Sequence, residues 1–188
     1  MSFVELVTEV EGLSDDALDA RRRSIERRRR ELEAEQAVVL AESDQRNRYA
    51  VDGHATMWGL LRAELGWSNG ECRTRMRVAR LVETFADVGE SLADGEVPVA
   101  HVTEIARGYS NPRCGERIEG VIGTLVNEAA RLEYDDFRRL VERWELLADA
   151  DGAHRDREVN HRNRDAHLSV IDGVGYLDAQ LGDIDAVQ

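Results

Sequence analysis

The 188-residue chain has no lysine at all, only two prolines, two cysteines and ten aromatic side chains. All 25 basic residues are therefore arginine; lysine has only A-rich codons, so its absence points to a GC-rich genome rather than to a function. Cys72 and Cys114 stand 42 residues apart and no CxxC occurs. That excludes a disulfide-built scaffold and a thiolate zinc site made from sequence-local pairs. No apolar run approaches the roughly 18 residues of a membrane span, and residues 1–20 lack the basic–apolar–small pattern of a secretory signal. A cytoplasmic protein without membrane contact is expected. There is no GxSxG, HExxH, P-loop or GxGxxG, so no enzyme, cofactor site or metal site is read from motifs.

What is present favours helix: Ala, Leu, Glu and Arg dominate. The length fits one domain, large enough to bury most of its apolar surface without a staple. The net charge is −13, and residues 1–50, 51–109, 110–150 and 151–188 carry −3, −3, −3 and −4. No segment is basic, which argues against indiscriminate nucleic-acid binding. Any such surface must be a local patch.

Ser14 followed by Asp15 and Asp16 predicts an N-cap and the start of the first helix, about thirty residues long, broken at Val51-Asp52-Gly53-His54. Leu18, Ile25, Leu32 and Val39 recur every seven residues, a narrow apolar stripe expected to pack along other helices within the chain or across a homodimer. Arginines at the partner heptad positions make it an imperfect coiled-coil seam. Arg21–Arg30 holds seven arginines against Glu26. These are expected to self-pair at i,i+4 spacing (Arg22–Glu26, Glu26–Arg30, Arg27–Glu31, Arg29–Glu33), with phosphate or an acidic partner as the other possibility.

A short helix follows over 55–65 and stops at Gly66; Ser68 and Glu71 form a predicted capping box opening a helix to about Val82. Helix, three-residue turn, capped helix is the layout of a helix-turn-helix. On a helical wheel Cys72, Met76, Ala79 and Val82 make a buried face, and Arg73, Arg77 and Arg80 fall in one sector beside it. Guanidinium groups pair bidentately with phosphates and guanine edges, so these three, with Arg62 and Asn69 in support, are the candidate contacts to double-stranded DNA. The alternative is a solvated helix face whose arginine stems cover apolar surface. Glu71 counts against the DNA reading.

Further helices are expected over Phe85–Ala93, from Pro98, over about 114–131, and from Phe137 to about Ala148. His101 reads as a hydrogen-bonded core histidine, and His54 as a turn residue. The charged stretch 149–166 reads as a linker. After it, Asp172-Gly173 between two short apolar runs predicts a β-hairpin over 167–188, the start of a truncated further element.

Several runs resemble a known family: Leu32–Gln36 through Tyr49–His54, Trp58–Gly66, Gly70–Arg73, Arg77–Leu81, Leu92–Val102, and the closing Leu168…Asp172-Gly173…Leu177–Leu181. Their order and spacing resemble domain of unknown function 222, the 13E12 repeat family, found at the N-terminus of actinobacterial HNH-endonuclease-like proteins. The resemblance implies a nuclease domain in cis in full-length relatives; it supplies no catalytic residue for these helices. Asn160–Asn163 and His167 lack the spacing of an HNH metal site and read as polar loop residues.

The expected fold is mainly α: a helical bundle over 1–148 with one long N-terminal helix, a helix-turn-helix-like corner and a C-terminal β-hairpin. Three functions remain open. One is a DNA-associated module positioning or regulating a nuclease. The second is a protein-interaction or homodimerisation module built on the stripe. The third is a part of a nuclease site completed by another region.

Overall fold

The computed structural model describes residues 2–149, 165–171 and 174–180, the last two as backbone strands. The protein is mainly helical. The order is α1 (Phe3–Glu11), α2 (Asp15–Gln45), α3 (Arg48–Val51), α4 (Met57–Leu65), α5 (Asn69–Thr84), α6 (Ala86–Ala93), α7 (Val99–Tyr109), a 3-10 helix (Gly115–Gly120), α8 (Ile122–Ala129) and α9 (Tyr134–Ala148). Strands β1 (Asp165–Ile171) and β2 (Val174–Gln180) run antiparallel with Leu168 opposite Leu177. The Asp172-Gly173 turn expected between them and most of the expected linker lie outside the described residues. Support for the expected fold class is confined to its helices.

Local chemistry sets most boundaries. Ser14 Oγ accepts from Ala17 N (3.3 Å) at the start of α2, Thr56 from Gly59 N, and Ser68 from Glu71 N (3.1 Å). Gly66, at φ 67°, closes α4 in the left-handed conformation that glycine adopts without a steric cost. Four expectations need correction. The first helix is α1, not α2: Ser2 and Glu5 form a complete capping box that opens it. Helix α2 ends at Gln45 rather than at Gly53, because Asn47 turns left-handed (φ 53°) and a new helical turn begins at Arg48. The capping box at Ser68 is half made, since the Glu71 carboxylate turns to Arg75. The helix expected over 114–131 divides at Gly120 into a 3-10 turn and α8.

Two apolar clusters hold the bundle. The larger joins α2, α5, α6, α7, the 3-10 helix, α8 and α9 around Leu81, Leu92, Ile105, Ile118 and Phe137, all with no exposed surface. The smaller joins α2, α4 and α5 through Leu40, Leu60, Leu61, Cys72, Met76 and Ala79. Helices α2 and α5 contribute to both. His101 is buried against Phe137 (ring centroids 4.8 Å apart), its Nε2 3.0 Å from the Leu132 carbonyl oxygen. It is a core histidine, as expected.

The stripe Leu18, Ile25, Leu32 and Val39 is not what packs α2 onto the bundle. Those residues are 38%, 50%, 63% and 56% exposed. The packed face is Ala34, Ala37, Leu40 and Ala41, and the three alanines let α5 and α6 approach closely. The first half of α2 has no buried residue and is tied down by polar contacts of Arg21 to Glu9 of α1 and of Arg30, which also pairs with Glu26 on its own helix (3.2 Å), to the Gly95 carbonyl (2.7 Å).

Gly115 provides a direct test of the break before α8. A methyl there would collide with the Tyr109 carbonyl oxygen, whereas one at Gly120 meets nothing within 4 Å. Gly115→Ala is expected to destabilise the fold by about 1–3 kcal/mol as overpacking does, and Gly120→Ala to change it far less. Urea unfolding of both variants measures the difference.

Candidate nucleic-acid interface

Helix α5 places the arginines. Cys72, Met76 and Ala79 face α4 and α2, while Val78, Leu81 and Val82 enter the larger cluster. At 100° per residue these six cover well over half of the helix circumference. The buried surface is wider than the sequence predicts, because Val78 and Leu81 are buried as well. The remaining open arc carries Asn69, Arg73, Arg77, Arg80 and Thr84: Arg77 is half-buried, the other four exposed. Arg62, on α4, is also exposed.

The arginines of α5 divide into two kinds. Arg75 belongs to the fold: its guanidinium reaches Glu33 (2.6 Å) and Gln36 on α2 and Glu71 (3.4 Å) on its own helix, and stacks 4.9 Å over Trp67. Arg73, Arg77, Arg80 and Arg62 make no hydrogen bond or ion pair among the described residues. Glu71, the acid that counted against DNA contact, is half-buried and held by Arg75. It shares the single positive charge of Arg75 with Glu33. Arg80 lines a shallow depression of about 360 Å³ with Asp44, Tyr49, Thr56, Met57 and Trp58.

The arginines of α2 behave differently from the self-pairing expected of them. Of the four i,i+4 pairs only Glu26–Arg30 forms; Arg22 turns to Asp19 (2.9 Å) and Glu33 to Arg75. Arg23, Arg27, Arg28 and Arg29 have no ion pair among the described residues.

One polar cluster was not singled out from sequence. Arg107 binds Glu104 and Glu145 (2.8 Å each), Asn111 donates to Glu145 (3.2 Å), and the Tyr134 hydroxyl donates to Glu104 (2.9 Å). Burial works to lower the Arg107 pKa, but the hydrogen bonds it donates to both glutamates hold it above its ordinary value. The Tyr134 phenol is raised by its bond to Glu104. Every member is spent on tying α7 to α9. The i,i+3 spacing of Glu104 and Arg107 was the only sequence signal; the partner Glu145 lies 38 residues on. Cys114 is buried, and burial pushes its thiol up, with Glu145 and Asp149 adding to the shift, the reverse of what a nucleophilic thiolate needs. Among the described residues no group of three or more His, Cys, Asp or Glu is placed to hold a metal ion, and no helix is long and apolar enough to cross a membrane.

The division of α5 arginines has a measurable consequence. Arg75→Ala strips Glu33 and Glu71 of their partner and is expected to cost about 1–3 kcal/mol. Arg73→Ala and Arg80→Ala are expected to stay within about 0.5 kcal/mol of wild type. Chemical denaturation of the three variants separates a structural arginine from free ones.

No curated protein and no solved structure matches the chain. The sequence profile of the family described as Domain of unknown function (DUF222) matches residues 19–186, which takes in all but the first turn of α2, then α3 through α9 and both strands. By that match the chain belongs to the domain of unknown function 222 family.

Proposed function

We propose that this chain is a non-catalytic, DNA-associated helical module that acts in the cytoplasm and positions or regulates a nuclease of the HNH type. In this reading α4, the Gly66–Ser68 turn and α5 act as a helix-turn-helix-like corner. Arg73, Arg77 and Arg80 contact phosphates or base edges of a duplex, with Asn69 at the leading end of α5 and Arg62 beside it.

One observation carries the reading. In a protein of net charge −13, the open arc of a helix that packs into both apolar clusters holds three arginines with no acidic partner among the described residues. Some exposed arginines elsewhere pair with carboxylates, as Arg22, Arg46 and Arg138 do, and others, such as Arg48, Arg131 and Arg143, have no ion pair among the described residues. Arg73, Arg77 and Arg80 have no such partner among the described residues. Helix-terminal geometry adds to this, since the exposed Asn69 and Ser68 sit at the N-terminal end of a 16-residue helix, where phosphates are favoured. A second reading, an interaction module that touches no nucleic acid, is favoured by the exposure of the Leu18–Val39 stripe.

Fluorescence anisotropy with a labelled duplex between about 50 and 200 mM salt tests the first reading. Wild type is expected to bind with an affinity that falls steeply with salt. Arg73/Arg77/Arg80→Ala is expected to bind more weakly and to lose about 2–3 from the slope of log K against log salt, as three lost phosphate contacts require. Absence of binding at the low-salt end by a folded sample contradicts it.

A further inference from the structure

Helix α2 has an apolar stripe turned away from the bundle, and its charges are sorted along its length. Arg21–Arg30 carries seven arginines and one glutamate, whereas residues 31–45 carry Glu31, Glu33, Glu35, Glu42 and Asp44 and no basic residue. The stripe becomes more open along the chain, from 38% at Leu18, beside the half-buried α1 contact at Arg21, to 63% at Leu32. The open portion is Ile25, Leu32 and Val39, with Leu32 at its centre. Beside it Arg28 and Glu35 lie on the same flank of the helix, seven residues apart, and neither makes an ion pair among the described residues.

We propose that this face docks a second copy of the chain, with the two α2 helices antiparallel about a two-fold axis near Leu32. This inference is independent of the DNA reading. A two-fold perpendicular to both helices keeps each flank on its own side. It therefore sets Leu32 against Leu32, Ile25 against Val39, and Arg28 of each copy against Glu35 of the other. The basic half of one helix then lies along the acidic half of its neighbour. Parallel pairing lays the two arginine-rich halves together and is disfavoured by like-charge repulsion. Registers centred on Ile25 put Arg21, Arg22, Arg28 and Arg29 opposite one another. The register centred near Leu32 satisfies both the stripe and the charges. The seven-residue repeat is short, so the slow drift of the stripe around a straight helix is small over three layers.

Sedimentation velocity of the full chain without DNA, from about 1 to 100 μM, reads the result, since micromolar dissociation is what an interface of modest size supports. The expected mass is twice 21.2 kDa at the upper end. Leu32→Asp, at an exposed position, is expected to keep its helical circular dichroism and to weaken self-association at least tenfold. Arg28→Glu and Glu35→Arg are each expected to weaken it, while the double variant restores it. Mixing the two single variants is expected to form a heterodimer. A monomer at every concentration overturns the proposal, as does a dimer indifferent to Leu32→Asp. Failure of the double variant to recover overturns the antiparallel register. Loss of DNA binding with dimerisation intact, or the reverse, keeps the outcome for this surface separate from that for α5.

Discussion

Helix α5 has to satisfy two apolar clusters at once, and the rest of the structure is arranged around that demand. One side of it fills the space between α2 and α4 with Cys72, Met76 and Ala79; another enters the larger core with Val78, Leu81 and Val82. A helix buried around so much of its circumference is fixed in rotation, because turning it by one residue would drive an arginine into a core and a leucine into water. The cost of that error is several kcal/mol, more than any surface interaction available to correct it. The open arc is therefore set by packing rather than by its own chemistry. Whatever stands there is presented rigidly to solvent, which is what a recognition surface requires.

Charge follows the same division. Arginines that face other helices are consumed by the fold: Arg30 ties α2 to the loop before α7, Arg75 ties α5 to α2, and Arg107 ties α7 to α9. In a chain with an excess of 13 acidic groups, pairing is available almost everywhere. That makes the arginines left without an acid informative. Among the described residues they form two groups, Arg73, Arg77 and Arg80 on the open arc of α5 and Arg23, Arg27, Arg28 and Arg29 on the first half of α2, with Arg48, Arg62, Arg117, Arg131 and Arg143 scattered elsewhere. The α2 face of α5 is the side opposite its open arc, so the two surfaces are separate and can be occupied together.

Much of this was legible in the sequence wherever one residue type decides one local event. Ser14 and Ser68 announce their helices, Gly66 ends α4, and Pro98 precedes α7 because a missing N–H costs nothing there. The face Cys72, Met76, Ala79 and Val82 follows from helical periodicity alone. The signal for α1 was also present, since Ser2 and Glu5 spell a capping box, but its helix buries nothing and leaves no periodic core to draw attention. Other features depended on distant partners. That Ala34, Ala37 and Ala41, rather than the larger stripe residues, face the core is a matter of how closely α5 and α6 approach. That Arg75 is structural while Arg73 is not depends on Glu33 and Gln36, some forty residues away. No local pattern separates these two arginines.

The central claim is that the arginines of α5 are of two kinds, one inside the fold and one open to a polyanion. Arginine Nε–Hε correlation spectra of the labelled protein, recorded while a short DNA duplex is titrated in at low salt, address it most directly. The account predicts shifts at Arg73, Arg77 and Arg80, with Arg75 unmoved because Glu33, Glu71 and Trp67 already hold it. Shifts confined to the α2 arginines, or no shift at any arginine, would contradict it.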